Sequence, residues 1–226
     1  MQLSNEELAE RIDHTLLRQQ AVEADIVRLC KEARDFGFKA VCVHPCFVEL
    51  CVRELKDCKV RVATVVGFPL GANSREVKAF EAEQAFANGA SEVDMVINIG
   101  ALKERKIEKV FDEIRGVVEV SSRFPGTLVK AIIETSLLTE EEKVLAAETI
   151  VRAGADYVKT STGFGSAGAT VEDVAMLAKV LGGRAKIKAS GGIRTREQAE
   201  KLVAAGADRL GTSSGIAILT GQYWQR

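Results

Sequence analysis

The chain has 226 residues, and its 31 lysine and arginine residues nearly balance its 32 aspartate and glutamate residues, giving a net charge of −1. This balance argues against nucleic-acid and membrane partners, which attract strongly basic proteins. With 46% hydrophobic and 28% charged residues and only 3 prolines, the composition excludes disordered and fibrous classes. One domain over residues 1–226 is the simplest organisation at this length.

The N-terminal residues predict a short amphipathic helix over 4–11, followed by a first strand, IDHTL, at 12–16. The start of the chain is acidic, and it lacks the basic and then apolar pattern of a secretion signal. No stretch approaches the roughly 18 consecutive apolar residues of a membrane span. We therefore expect a cytoplasmic protein.

The 5 cysteines follow between residues 30 and 58, and their number and spacing do not indicate disulfides. An odd number in a chain of this length argues against the disulfide framework of a small secreted protein. Cys42 and Cys46 flank His44 in a C-x₃-C spacing, which makes a zinc site conceivable, but the paired C-x₂-C sequences of zinc knuckles are missing. We predict no metal site.

A repeated pattern runs through the rest of the chain, in which a helical segment ends in glycine and an apolar, β-branched run follows. It recurs at Gly37, Gly89, Gly154 and Gly206, and glycine at such a position caps a helix in the left-handed conformation. Helical patterns occupy residues such as 74–88, 102–122, 139–152 and 170–181. Strand-like runs lie at 12–16, 39–44, 60–66, 92–98, 128–134, 156–161, 186–190 and 208–212.

Eight strands that alternate with helices predict a parallel sheet buried on both faces. Eight such units without a linker fit a (β/α)₈ TIM barrel with a short N-terminal helix better than an open doubly wound sheet. No Gly-x-Gly-x-x-Gly turn follows the first strands, which argues against a dinucleotide cofactor.

The repeat also aligns four residues that would share one layer of the barrel. Cys42, Asp94, Lys159 and Gly211 each come five residues after a capping glycine. Strand side chains alternate between the two faces, so all four are expected on the same face. A lysine and an aspartate would then meet inside the barrel, near the carboxyl ends of the strands where these folds carry their active sites.

Lys159 interrupts an apolar strand, although burying a lone ammonium costs on the order of several kcal/mol unless it is paired or neutral. Burial and nearby cations lower the pKa of a lysine, and a neutral amine condenses with an aldehyde or ketone to a Schiff base. Lys188, on the next strand, would supply the second cation, and Asp94 would hold the pair and move protons. A structural ion pair explains the same residues, and Lys130 is a rival for either lysine role.

Small-residue turns late in the chain predict a phosphate site. Ser-Thr-Gly at 161–163, Ser-Gly-Gly at 190–192 and Thr-Ser-Ser-Gly at 212–215 would present backbone N–H groups to an anion. The loops after strands seven and eight are the usual phosphate site of these barrels, although ordinary turns explain each one alone. His14 and His44 show no ligand spacing and are interpreted as structural or pocket-lining residues.

Several longer segments together resemble the deoxyribose-phosphate aldolase family, which comprises Schiff-base aldolases of the (β/α)₈ class. The resemblance spans nearly the whole chain. It rests on IDHTLL at 12–17, VCVHP at 41–45, VVGFPLG at 65–71, EVDMVINIG at 92–100, KAIIET at 130–135, YVKTSTGF at 157–164, IKASGGIRT at 187–195 and GTSSG at 211–215.

The resemblance implies reversible cleavage of 2-deoxy-D-ribose 5-phosphate to acetaldehyde and D-glyceraldehyde 3-phosphate in deoxynucleoside catabolism, without a cofactor or metal. It makes Lys159 the Schiff-base nucleophile, Lys188 the cation that depresses its pKa, and Asp94 the proton relay. Substrate contacts are expected at Thr160, Gly163, Gly191, Gly192, Ser213 and Ser214. Asp13, Thr15 and Cys42 are expected to line the pocket.

Two departures from the family pattern affect these expectations. Some members have a phosphate-binding lysine after Thr-Ser-Thr-Gly, whereas Phe164 stands there in this chain, so phosphate affinity would rest more on backbone groups and Arg194. Some members end in a longer tail whose tyrosine reaches the site, which puts a role for Tyr223 in doubt. We expect a homo-oligomer, a dimer or tetramer, because small aldolases of this kind commonly self-associate.

Three alternative functions stay open on the sequence. Another Schiff-base aldolase or a transaldolase would keep Lys159 and use a different carbonyl donor. A phosphate-binding isomerase would use an acid/base pair without a covalent intermediate, and a non-catalytic barrel would bind a ligand without converting it.

Overall fold

The computed structural model describes residues 3–221, so Tyr223 lies outside the described residues. The strands are β1 (Ile12–Leu16), β2 (Ala40–Val43), β3 (Arg61–Val66), β4 (Glu92–Val96), β5 (Leu128–Ile132), β6 (Tyr157–Lys159), β7 (Lys186–Ser190) and β8 (Arg209–Thr212). The helices are α1 (Asn5–Ala9), α2 (Glu23–Phe36), α3 (Val48–Glu54), α4 (Arg75–Ala87), α5 (Ile99–Lys103), α6 (Ile107–Ser121), α7 (Glu140–Ala153), α8 (Val171–Leu181), α9 (Arg196–Ala204) and α10 (Gly215–Thr220). Short 3-10 turns lie at Pro45–Phe47 and Thr135–Leu137.

The eight strands form a closed parallel barrel in chain order, which confirms the predicted (β/α)₈ fold. β8 pairs with β1 and closes the barrel, with Asp13 opposite Gly211. Because all strands run in the same direction, their carboxyl ends and the loops that follow them lie at one end of the barrel.

The main apolar core lies between the strands and the surrounding helices. On β2, Val41 and Val43 belong to this core, whereas Cys42 packs in a small separate cluster with Ala63 and Val65. This alternation is the one expected of strands buried on both faces. It leaves many of the inward positions on the other strands for polar side chains.

Side-chain caps fix the starts of several helices. Ser74, Thr139 and Thr170 each accept a hydrogen bond from a backbone N–H in the first turn of α4, α7 and α8. Ser4 and Glu7 form a reciprocal capping box at α1. Such a cap stabilises a helix by about 1 kcal/mol and thereby fixes the residue at which the helix begins. These four helices begin within one residue of the predicted positions. No helix within residues 3–221 has the length and apolarity to cross a bilayer.

Helix α1 lies across the amino end of the barrel, and it is shorter than the predicted 4–11. Leu8 is fully buried in the apolar core. Glu7 lies beside Tyr157 and Arg209 at the amino-end opening of the barrel. The helix thus covers the end of the barrel opposite the predicted site.

The single helix predicted over 102–122 is two helices, α5 and α6. Asn98 caps α5 through its side-chain oxygen, which accepts from the Ala101 N–H at 3.0 Å, so the helix begins earlier than predicted. Arg105 then adopts φ 57, a left-handed conformation that a continuous helix does not contain. Charged residues at 103–106 conceal this break, because no proline or glycine marks it.

Two of the four predicted capping glycines occupy the cap itself. Gly37 and Gly154 cap α2 and α7 with φ 69 and 84. Gly89 and Gly206 come one residue after the caps of α4 and α9, also with positive φ. In all four units the glycine allows the turn that leads into the next strand.

Candidate active site

A cavity of about 450 Å³ opens at the carboxyl ends of the strands and is formed by the loops after β1, β6, β7 and β8. Lys159 is the only lysine of residues 3–221 among its lining residues. Of the residues predicted from the sequence, the cavity is also bordered by Thr15, Gly163, Gly191, Gly192, Ser213 and Ser214.

The Lys159 amine and the Asp94 carboxylate meet inside the barrel. Lys159 ends β6 and is only 3% exposed, and its Nζ lies 2.7 Å from Asp94 Oδ2. The same oxygen accepts from Lys188 Nζ at 2.6 Å, and Asp94 Oδ1 accepts from Lys130 Nζ at 2.7 Å. Asp94 therefore binds three ammonium groups, and Lys130 joins the site as a third lysine.

A second layer of charges lies beneath this cluster, toward the amino ends of the strands. Asp13 pairs with Lys188 and with Arg209. Glu92 lies 2.6 Å from Lys130 Nζ and 2.7 Å from an Arg209 nitrogen. Glu92 and Arg209 were not among the residues predicted for the site, although each stands two residues before a residue predicted to lie inside the barrel.

The buried cluster contains more cations than carboxylates. Its cations are Lys130, Lys159, Lys188 and Arg209, and its carboxylates are Asp13, Glu92 and Asp94. Arg61, which is partly exposed, adds a further cation next to Glu92 at 2.8 Å. Uncompensated buried charge is costly, so the cluster favours the loss of one proton from a lysine.

The pKa values identify which lysine gives up this proton. Burial lowers the pKa of Lys159, the Asp94 carboxylate raises it, and the Lys188 ammonium lowers it again, so that it stays below that of an ordinary lysine. Burial also lowers the pKa of Lys188, but Asp13 and Asp94 outweigh this effect and raise it above the ordinary value. At Lys130, Asp94 and Glu92 likewise overcome burial and raise the pKa. The lysine at the cavity is therefore the most easily deprotonated of the three.

The carboxylates beside these lysines remain ionised. Burial would raise the pKa of Asp94, but Lys130, Lys159 and Lys188 hold it well below its usual value. At Asp13, burial is outweighed by Lys188, Arg209 and Lys130, and the pKa falls to about 2. Asp94 is therefore available as a proton acceptor next to a weakly basic amine, an arrangement that suits covalent amine chemistry.

Five of the predicted site residues do not border the cavity, namely Asp94 and Lys188 of the charged cluster together with Asp13, Cys42 and Thr160. Asp13 and Cys42 are fully buried below its floor, because their strands carry them one level deeper than the loops. Burial raises the pKa of the Cys42 thiol, which therefore stays protonated. Thr160 is also buried, and its hydroxyl donates to the Ser190 carbonyl at 3.2 Å and accepts from the Ser190 N–H at 3.1 Å. Thr160 thus links β6 to β7, a role that differs from the predicted contact with substrate.

The glycines that border the cavity give it backbone N–H groups. Gly163, Gly191 and Gly192 have φ of 87, 86 and 76, which favours glycine. Their N–H groups have no hydrogen-bond acceptor within residues 3–221. The Ser214 N–H, in contrast, donates to Thr212 Oγ1 at 2.9 Å. Free N–H groups in such turns bind anions.

The mouth of the cavity combines cationic and aromatic side chains. Arg18 and Arg194 both border it, and Arg18 also pairs with Asp25 at 2.7 Å. The Phe164 ring is about half exposed and meets the Phe68 ring edge-on, with centroids 5.3 Å apart. Arg18 was not predicted as a site residue, because it stands two residues beyond β1 and belongs to no recognisable motif.

The histidines and cysteines do not converge on a common centre. His44 Nε2 lies 2.8 Å from the Leu17 carbonyl, and His14 Nε2 lies 2.7 Å from Glu32. Cys46 is exposed, whereas Cys42 is buried inside the barrel, and all five cysteines are free thiols. In the part of the chain that the structure describes, no three His, Cys, Asp or Glu residues are arranged to hold a metal.

The family model and two highly similar relatives that match this chain all belong to one family of aldolases. A family model described as DeoC/LacD family aldolase matches residues 8–221. The deoxyribose-phosphate aldolase of Carboxydothermus hydrogenoformans is 55% identical over 220 residues, which cover 97% of this chain and 96% of that protein. That of Caldicellulosiruptor saccharolyticus is 51% identical over 218 residues, covering 96% and 99%.

Solved structures share the fold along nearly the whole chain. A putative deoxyribose-phosphate aldolase from Coccidioides immitis superposes with a TM-score of 0.94 at 42% identity, covering 98% of this chain and 87% of that one. The deoxyribose phosphate aldolase of Aeropyrum pernix, described as having a unique tetrameric structure, superposes with a TM-score of 0.90 at 38% identity, covering 96% and 92%.

Proposed function

Because the chain belongs to the DeoC/LacD family of aldolases, we propose that it cleaves 2-deoxy-D-ribose 5-phosphate reversibly through a Schiff base on Lys159. The products are acetaldehyde and D-glyceraldehyde 3-phosphate. The observation that carries this proposal is the position of Lys159, whose amine borders the cavity, has a lowered pKa and touches the ionised Asp94. The names of the relatives support the choice of sugar phosphate.

The reaction begins at the Lys159 amine. Its neutral form attacks the aldehyde carbon of the open-chain sugar, and the resulting carbinolamine loses water to give an iminium ion. The iminium attracts the electron pair of the bond between C2 and C3 as the C3 hydroxyl loses its proton. D-Glyceraldehyde 3-phosphate leaves, and an enamine of acetaldehyde remains on Lys159. Protonation of the enamine carbon and addition of water then release acetaldehyde and the free amine.

We assign the proton transfers to Asp94 and Lys188. These two residues contact each other, and Asp94 also contacts the Lys159 nitrogen. Since neither borders the cavity, protons pass between them and the substrate through a water molecule. Positioned acid/base groups of this kind contribute on the order of 10²–10⁴ in rate.

The pH dependence of Schiff-base formation tests the role of Lys188. In Lys188→Met, the loss of the neighbouring cation raises the pKa of Lys159, so the neutral amine appears only at higher pH. We expect the rising limb of the trapping rate to move upward by about 1–2 pH units. The measurement is the pH profile of single-turnover trapping with acetaldehyde and borohydride.

Lys186→Met is the matched control, because Lys186 is exposed at the start of the same strand. The control profile should coincide with that of the unmodified protein. An unchanged or downward-shifted limb in Lys188→Met would show that Lys188 does not depress the pKa of Lys159.

The phosphate group of the substrate is assigned to the free N–H groups of the glycine turns. Gly191→Ala tests this, since a Cβ atom there would lie 2.9 Å from Gly168 Cα and would displace the turn. We expect the inhibition constant of inorganic phosphate to rise by about tenfold, the effect of losing one hydrogen bond to a charged group.

Gly183→Ala provides the comparison for backbone strain. Gly183 has a similar φ of 83, with open space around the added Cβ, and it lies between α8 and β7, away from the cavity. Its substitution should leave phosphate inhibition unchanged. Equal effects of the two substitutions would disprove a specific phosphate contact at Gly191.

A product assay tests the proposed function against its alternatives. With 2-deoxy-D-ribose 5-phosphate, acetaldehyde and D-glyceraldehyde 3-phosphate should appear in equal amounts, each measured with its own dehydrogenase. An isomeric sugar phosphate without acetaldehyde would instead indicate an isomerase. Turnover only with another carbonyl donor would indicate a different aldolase or a transaldolase.

Self-association is part of the proposal. Val77 and Phe80, three residues apart and therefore on one face of α4, are 44% and 61% exposed, and Leu70 in the preceding loop is 76% exposed. Neighbouring exposed apolar side chains of this kind mark protein contacts when they form a contiguous patch. The Aeropyrum pernix relative is described as tetrameric. We expect a homo-oligomer in sedimentation experiments, and we propose a cytoplasmic location, where free cysteines persist.

A further inference from the structure

A buried carboxylate that the mechanism does not use lies behind the loop that follows Lys159. Glu134 comes two residues after β5, is only 4% exposed and does not border the cavity. Its backbone has φ 50 and ψ 70, a left-handed conformation that costs a non-glycine residue on the order of 1 kcal/mol. A strained backbone that carries a buried charge beside the site points to a function for the side chain.

The Glu134 carboxylate binds Thr162 twice. Its Oε2 accepts from the Thr162 N–H at 3.1 Å and from the Thr162 hydroxyl. The hydroxyl oxygen of Thr162 in turn accepts from the Phe164 N–H at 3.1 Å. Gly165 gives the carboxylate its space, because a Cβ atom there would lie 3.1 Å from Glu134 Cδ. Glu134 thus fixes the conformation of the loop at 161–165.

The backbone on both sides of Glu134 is bound to the same segment. The Ile133 N–H donates to the Lys159 carbonyl at 3.0 Å, and the Thr135 N–H donates to the Thr160 carbonyl at 2.9 Å. The turn that carries Glu134 therefore has a fixed position relative to the Schiff-base lysine. The carboxylate extends this attachment beyond the end of β6 into the loop.

These contacts determine which N–H groups of the loop are free to meet an anion. The N–H groups of Thr162 and Phe164 are occupied within the loop. The N–H of Gly163, which lies between them and borders the cavity, has no acceptor within residues 3–221. Among the three residues of this loop that line the cavity, Thr162, Gly163 and Phe164, Gly163 is thus the one whose N–H has no acceptor within the described residues.

We propose that Glu134 is a positioning residue that orients this loop so that the Gly163 N–H meets the phosphate group of the substrate. The inference rests on the proposed function, because the phosphate is that of the sugar substrate. Glu134 acts through Thr162 and has no contact with Lys159 Nζ. It therefore affects the binding of phosphorylated substrate and leaves Schiff-base formation intact.

Three variants separate the carboxylate from the backbone conformation. Glu134→Gly removes the carboxylate and adopts the left-handed conformation without strain. Glu134→Gln keeps an oxygen that accepts from Thr162, and Thr162→Val removes only the hydroxyl. For Glu134→Gly we expect KM for 2-deoxyribose 5-phosphate to rise by about tenfold, the effect of losing hydrogen bonds to a charged group. Glu134→Gln should largely restore KM, and Thr162→Val should raise it to a smaller extent.

The readouts distinguish positioning from a general structural role. In Glu134→Gly, kcat and the trapping of acetaldehyde by borohydride should stay near the values of the unmodified protein, and KM for unphosphorylated 2-deoxyribose should not change. An equal loss with both sugars, or a fall in kcat at constant KM, would overturn the inference. If Glu134→Gly does not fold, Thr162→Val decides the question. The inference predicts a raised KM for Thr162→Val and a nearly unchanged KM for Glu134→Gln. A Thr162→Val KM equal to that of the unmodified protein overturns the inference. Failure of the unmodified protein to form any adduct would instead overturn the proposed function.

Discussion

Replacing Lys159 by methionine is expected to abolish cleavage without destabilising the protein. Loss of the nucleophile should lower kcat/KM by at least about 10⁴-fold, as for nucleophiles in other covalent enzymes. The free energy of unfolding should stay constant or increase, because the substitution removes the surplus cation of the buried cluster and leaves Asp94 with two ammonium partners. Activity assays and chemical denaturation measure the two effects.

Lys186→Met on the neighbouring strand is the control, since this exposed lysine lies outside the cluster. It should change neither activity nor stability. A Lys159→Met protein that still releases acetaldehyde would exclude the Schiff-base role of this lysine. A large loss of stability in Lys159→Met would show that the positive charge of Lys159 stabilises the buried cluster and is not surplus to it.

Asp94→Asn should have the opposite effect on stability. The substitution leaves Lys130, Lys159 and Lys188 around a neutral amide, and breaking a buried ion pair by removing one partner costs about 3–5 kcal/mol. Cleavage should fall by about 10²–10⁴, because the proton acceptor below the Lys159 nitrogen is lost. Chemical denaturation and the product assay of the same preparation measure both quantities.

Asp112→Asn controls for the loss of a carboxylate at the surface, because Asp112 is exposed on α6. It should behave as the unmodified protein. If Asp94→Asn unfolds at the same denaturant concentration as that control, Asp94 does not hold the three ammonium groups together, and the account of the cluster is wrong.

Much of the barrel can be predicted from the repeated helix–glycine–strand pattern of the sequence. The glycine repeat placed Cys42, Asp94 and Lys159 on inward faces, and the contact between Asp94 and Lys159 is present at 2.7 Å. The same repeat, taken three residues after each glycine, gives Ala40, Glu92, Tyr157 and Arg209. The second layer of charges therefore follows from the same pattern, but it lies two residues before the strand-end positions where these barrels are expected to carry their active sites.

Other features depend on distances that no local pattern encodes. The depth of Asp13 and Cys42 is set by how far each strand extends relative to its neighbours in the closed barrel, a long-range property. The importance of Glu134 depends on a left-handed backbone and a contact with Thr162, 28 residues away. The break at Arg105 has a similar origin, because a charged residue gives no sequence signal for positive φ.

The cation surplus gives a physical reason for choosing one lysine among three similar candidates. Lys130 and Lys188 each touch two or more carboxylates, which stabilise their charged forms. Lys159 touches Asp94 alone among the carboxylates of the cluster and faces the cavity. The protein thus holds two lysines protonated and directs the third, more easily deprotonated amine toward the cavity.

Borohydride reduction in the presence of acetaldehyde, followed by intact mass and peptide mapping, tests the central claim most directly. The account predicts one ethyl adduct per chain, located on the peptide that contains Lys159, and no adduct at that position in Lys159→Met. An adduct on Lys130 or Lys188 would contradict the assignment of the nucleophile, and no adduct at saturating aldehyde would contradict the Schiff-base mechanism itself.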